Sequence, residues 1–162
     1  MSKPATDPTR ELFRHILATL AYRAAKVVSN APAAFADFHA GEDSRTPGEI
    51  LAHMGDLFDW ALSAAKGKEV WHNSTPLAWN KEVERFFGSL KKFDDFLASN
   101  ERVHVAYENL FQGPLSDALT HVGQLAILRR LAGTPVRAEN FFIAEVVAGR
   151  VGADQAKPKM EF

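Results

Sequence analysis

Asp117 and His121 stand four residues apart in the stretch DALTHVGQLAILRR. At 3.6 residues per turn this spacing puts a carboxylate and an imidazole on one helix face, about 5 to 6 Å apart at Cβ. The same face carries Leu125, Leu128 and Ala132, so two polar groups sit inside the apolar stripe that a helix turns toward a core. Burying them is costly unless they are paired, hydrogen-bonded or bound to a metal. His53 borders a second apolar face, made by Ile50, Met54, Leu57, Phe58 and Ala61. Together, two imidazoles and a carboxylate form a three-donor set that leaves coordination positions of a divalent ion open. An open position lets the ion act as a Lewis acid or generate hydroxide from water, whereas four closed ligands mark a structural site. Glu49 and Asp56, each about one turn from His53, are candidates to orient its ring or to act as a catalytic base. The competing explanation is structural: a histidine on an apolar face is often a satisfied core residue, and Asp117 near a helix start complements the dipole. His15, His39, His72 and His104 lack an inward position beside a ligand partner and read as surface or loop residues.

The elements that must position these residues follow from start and stop signals. Asp7-Pro8 opens a first helix running to about Ser29, with Leu12, Ile16, Leu20, Ala24 and Val27 as its buried stripe. A long connection follows, whose Phe35 and Phe38 are expected to fold back onto the core. Thr46-Pro47-Gly48-Glu49 combines an N-cap hydroxyl, a proline at the first helical position and a glutamate at the third, and starts a second helix that ends near Ala65, before Gly67. After a loop from Lys68 to Pro76, a third helix begins at Leu77 or Trp79 and runs to about Ala98. Its stripe of Val83, Phe86, Phe87, Leu90, Phe93 and Leu97 reads as plain core. Residues 99–112 read as a long, partly extended connection, and Gly113-Pro114 as the start of a fourth helix that Gly133 and Pro135 stop. Arg129 and Arg130 at its end read as solvated or salt-bridging. A short amphipathic segment from Asn140 to Ala148 is expected as a fifth helix, before a polar tail from Gly149. The expectation is an all-α four-helix bundle in a single domain over residues 1–162, with a long connection between helices 1 and 2. Residues 1–6 and 150–162 would be peripheral.

Composition narrows the function. The 19 basic and 20 acidic residues nearly cancel, and no run of lysine or arginine would track a phosphate backbone, which argues against nucleic acid and against an anionic membrane surface. No apolar run approaches membrane-spanning length and no signal peptide is evident, so a cytoplasmic location is expected. The chain has no cysteine, which excludes thiolate metal sites, disulfides and cysteine nucleophiles, and leaves nitrogen and oxygen as metal ligands. Twelve phenylalanines and three tryptophans are plentiful for one small bundle and suggest a symmetric interface.

The segments TPGEILAHMGDLFDWAL and DALTHVGQLAILRRLAG, with the following Pro135, resemble the DinB/YfiT-like superfamily of bacterial four-helix-bundle proteins, which is unrelated to the DNA polymerase sharing the DinB name. The resemblance spans most of the chain. It implies a divalent metal, nickel or zinc, held by one histidine on the second helix and a His-x-x-x-His pair on the fourth. His53 matches the first ligand and His121 the second member of the pair, while Asp117 stands where the other histidine would be. A carboxylate is a harder ligand than imidazole and brings oxygen-preferring ions such as iron or manganese into range. The resemblance also implies a small-molecule substrate, a low-molecular-weight thiol as co-substrate in some relatives, metal-dependent hydrolysis in others, and often a homodimer. A non-catalytic bundle with a degenerate site is the alternative from another class.

Overall fold

In the computed structural model, which describes residues 7–162, the chain is all-helical. Helix α1 spans Pro8–Val28, α2 Pro47–Ala65, α3 Trp79–Ala98, α4 Tyr107–Leu110 and α5 Ser116–Leu131. The two strongest start signals act as their chemistry requires. The Asp7 carboxylate accepts the Thr9 N–H at 2.9 Å. At α2 the Thr46 hydroxyl accepts the Glu49 N–H at 3.2 Å while the Glu49 carboxylate accepts the Thr46 N–H at 2.8 Å, so two otherwise orphaned donors are satisfied reciprocally. Gly67 and Gly133 end α2 and α5 with φ of 76° and 78°, a left-handed conformation that side chains with a Cβ rarely adopt.

The four long helices pack in the cyclic order α1, α3, α2, α5, so α1 lies diagonally across from α2, and α3 from α5. This arrangement explains the long connections. The chain crosses the bundle between α1 and α2 and again after α3, whereas α2 and α3 are direct neighbours. On the first crossing, Ala33–Asp37 forms a short 3-10 turn that buries Phe35 against Trp79 and tucks Phe38 against the core. The interior is filled by Leu17 and Leu20 of α1, Leu51, Met54 and Phe58 of α2, Phe86, Leu90 and Phe93 of α3, and Leu115 and Leu125 from the last long helical run. The aromatic stripe of α3 is therefore core.

Four expectations need correction. The buried face of α1 is wider than the one read in the sequence: Leu20, Ala24 and Val27 are buried and Ile16 packs on the core as expected, Phe13, Leu17, Ala21 and Val28 are buried as well, and Leu12 is 57% exposed. Small alanines on the inward face let the backbones approach, which a count of large apolar residues misses. Second, Gly113-Pro114 does not start a helix. Helical backbone already begins at Tyr107 and passes through a wider π turn at Phe111–Leu115 that contains Pro114. The wide turn tolerates the missing proline N–H and the steric demand of its ring, and the Ser116 hydroxyl donates to the Phe111 carbonyl at 2.7 Å. Third, Asn140–Ala148 is not a helix beyond a 3-10 turn at Phe141–Ile143. Its apolar residues come as adjacent runs rather than at helical spacing, and Phe142 stands almost wholly in solvent. The tail beyond it turns back. Val151 is buried, Asn140 and Phe162 donate to the Met160 and Ala138 carbonyls, and Lys26 on α1 ties down both Glu139 and Glu161. Fourth, Arg129 is buried and not solvated. Its guanidinium donates to the carbonyls of Val27 at 2.8 Å and Ser29 at 3.2 Å, capping the C-terminal end of α1, and burial lowers its pKa from the usual value.

Candidate metal centre

The seam between α2 and α5 brings His53, Asp117 and His121 together, and one donor atom from each lies within 4.8 Å of the others. The Asp117 carboxylate spans the two rings. Its Oδ2 is 3.3 Å from His53 Nε2 and its Oδ1 is 3.3 Å from His121 Nε2. The imidazoles stand edge to face, with ring centroids 5.0 Å apart and planes at 87°. Donors bound about 2.0 to 2.1 Å from one ion at tetrahedral angles stand about 3.4 Å apart; each nitrogen–oxygen separation is of that size, though each is to a different Asp117 oxygen, and the group as a whole is close enough that it could hold a divalent ion. The donor set, two neutral imidazole nitrogens and a carboxylate oxygen, also fits zinc, nickel, iron or manganese. Among the described residues no other group of three histidine, aspartate or glutamate donors converges in this way.

Each side chain owes its place to its helix. His121 is largely buried because it lies on the same α5 face as Leu125 and Leu128. His53 borders the core face of α2, with its side chain 21% exposed, and Asp117, one turn before His121, keeps 44% exposure and marks the open side. Because helical backbone continues upstream to Tyr107, Asp117 does not sit at a free helix N-terminus, and the dipole explanation for its presence falls away. The exposed His15, His39, His72 and His104 take no part.

Two supporting residues were not singled out from the sequence. The Gln124 side chain oxygen lies 2.7 Å from His121 Nδ1. An amide oxygen in this position accepts from Nδ1–H, and in that tautomer the Nε2 lone pair faces Asp117, which is the arrangement a metal-binding imidazole needs. The His-x-x-Gln spacing was the available signal, since residues three apart share a helix face. Trp71 stands edge-on to His53 with centroids 5.6 Å apart, and against Trp60 at 5.7 Å. It comes from the loop between α2 and α3, and no spacing rule pairs it with His53.

That loop is pinned by a network of buried charges. Asp56 accepts the Ser74 N–H at 2.8 Å and the Ser74 hydroxyl at 2.6 Å, and also takes the Arg85 guanidinium. Arg85 in turn donates to Glu82 at 2.9 Å, and fully buried Glu82 accepts the Leu77 N–H at 2.9 Å. Burial alone would lower the Arg85 pKa, but its hydrogen bonds and charge pairing with Glu82 and Asp56 outweigh it and raise the value. Asp56 is therefore committed to Arg85 and Ser74, and Glu49 to its capping bond with Thr46. Neither carboxylate hydrogen-bonds to His53, which corrects the reading of these two residues as its orienting partner. The reason lies in direction: one turn of separation put them near His53 in sequence, but the helix start claims Glu49 and the α3 side of the bundle claims Asp56.

Compared with known protein families, curated proteins and solved structures, the chain matches none. No helix among the described residues is long and apolar enough to cross a membrane.

Proposed function

We propose that this protein binds one divalent metal ion through His53 Nε2, His121 Nε2 and the Asp117 carboxylate, and uses it in a hydrolytic or thiol-transfer reaction on a small molecule, as a DinB-like metalloprotein. The observation that carries the reading is the convergence of three donors from two helices, with Gln124 holding His121 in the tautomer that presents Nε2. A bound ion would supply Lewis acidity or a water of lowered pKa at the positions the three donors leave open. The chain supplies the rest. Asp117 carries the negative charge that partly neutralises the ion, Trp71 shields the outer face of His53 from water, and the exposed side of Asp117 gives access for substrate. Self-association as a dimer belongs to this proposal through the family resemblance.

One observation favours a second reading. Asp117 can already accept a hydrogen bond from His53 when that ring carries its proton on Nε2, while His121 is held by Gln124, so the cluster can be held together without metal as the centre of a non-catalytic binding module. Metal analysis of protein purified without added metal separates the two. About one equivalent of a divalent ion in the wild type, lost in His53→Ala and in His121→Ala, supports the metalloprotein. Metal-free protein that also takes up no zinc or nickel on titration would leave only the second reading.

A further inference from the structure

Of the three donors, His121 also lines a separate open groove. Beyond His121, between α5 and the loop that precedes α2, lies a cavity of about 530 Å³. His121 is in its wall, Ile50 and Leu128 form its floor, and Ile127 and Leu131 line its outer edge. Ile127 and Leu131 are 63% and 60% exposed, although they are large aliphatic residues one turn apart on α5. Placed in water they gain nothing, so their position beside the donor set calls for something that covers them. The only charged residue lining this cavity is Arg45, exposed and without an ion pair among the described residues. The recess next to Asp117 is lined by Gln112, Ser116 and Thr120 together with Leu57 and Trp60 and is the more polar of the two, so the surroundings of Asp117 and of His121 differ in chemistry.

From this asymmetry we infer that the cleft beyond His121 is a binding site for an amphiphilic small molecule with an aliphatic or aryl body and an anionic end group, of the class of medium-chain carboxylates. The body lies along Ile50, Ile127, Leu128 and Leu131, and the anion meets Arg45. The inference rests on the metalloprotein reading only in assigning the reacting group to the His121 end; occupancy of the cleft is a separate matter. A cavity of this volume suits a drug-sized small molecule, leaves ample room for an eight-carbon carboxylate, and is too small for a protein segment with its own fold. A guanidinium suits a carboxylate because it can donate two parallel hydrogen bonds.

The test uses octanoate as probe, with octanol and acetate as controls, on the full chain by calorimetry, with and without one equivalent of zinc. Octanoate should bind, acetate should not, and octanol should bind more weakly than octanoate. The double variant Ile127→Ser/Leu131→Ser changes only exposed side chains and should weaken octanoate at least about tenfold, in line with the apolar area lost. Arg45→Gln should erase the preference for octanoate over octanol. Zinc uptake should be unchanged in all these variants, so a failure of the metal reading would show as absent zinc binding with octanoate binding intact. Three results would overturn the inference: no octanoate binding at millimolar concentration, binding indifferent to the double variant, or a wild-type dimer in sedimentation that the double variant dissociates, which would make the face a contact between two copies of the chain.

Discussion

Removing the side-chain amide of Gln124 separates a metal-binding histidine from a merely buried one. In Gln124→Ala the three donors remain, but the 2.7 Å contact that keeps the proton on His121 Nδ1 is lost. Partners of this kind are worth about 10- to 100-fold in metal affinity. At zinc equal to about a hundred times the wild-type Kd, the ion stabilises the folded chain by about 2.7 kcal/mol, and the same zinc stabilises the variant by only about 0.4 to 1.4 kcal/mol. For a domain of this size a kilocalorie moves Tm by about 2 to 4 °C, so zinc should raise Tm by about 5 to 11 °C in the wild type and by about 1 to 6 °C in Gln124→Ala. His121→Ala removes a donor and should show no zinc shift at all, while His72→Ala, which changes an exposed loop histidine, should behave as the wild type. The assay is thermal unfolding followed by circular dichroism, with and without zinc, and with chelator as baseline. Comparing each protein with itself removes the cost of the mutation to the metal-free fold. Equal zinc shifts in the wild type, Gln124→Ala and His121→Ala would refute both the ligand assignment and the tautomer argument.

Asp117→His should raise zinc or nickel affinity by rebuilding an all-imidazole set, and Asp117→Ala should weaken it less than either histidine deletion; competition with a chromogenic chelator ranks the three. Glu82→Gln takes a charge from the buried network that holds Arg85 and the Leu77 N–H, and should cost roughly 3 kcal/mol in urea unfolding, with a result under about 1 kcal/mol showing that Arg85 is satisfied by Asp56 alone. Tyr22 and Tyr107, the only two tyrosines, both have phenol pKa values raised chiefly by burial, with Glu139 adding to the effect at Tyr22. A raised pKa favours the protonated phenol in the folded state, so this contribution is complete below the ordinary value of 10.0 and falls away as pH rises above it. Phenolate absorbance near 295 nm should therefore stay low just above pH 10 and appear together with loss of helix; full ionisation of both at pH 10.5 in a folded chain would contradict the burial.

The sequence by itself determined the helical class, three of the four long helices, the caps of α1 and α2, and the potential donor group His53, Asp117 and His121, because these follow from local rules. A cap is a hydrogen bond between neighbours in the chain, and an i, i+4 pair shares a face wherever the helix goes. The same locality explains what went wrong. Pro114 reads as a helix start because the rule for proline concerns its own N–H, whereas the π turn that absorbs it is held by residues on both sides. Glu49 and Asp56 are each one turn from His53, and only the placement of Thr46 and of Arg85 decides that neither turns toward it. Arg129 looked like a solvated helix end because the carbonyls it caps belong to α1, about a hundred residues earlier. Trp71 reaches His53 because Ser74 and Leu77 anchor its loop to buried carboxylates of α2 and α3. The tertiary structure alone decided these contacts, since a side chain with several partners in reach takes the one that best offsets its desolvation, and long-range packing fixes which partners are in reach.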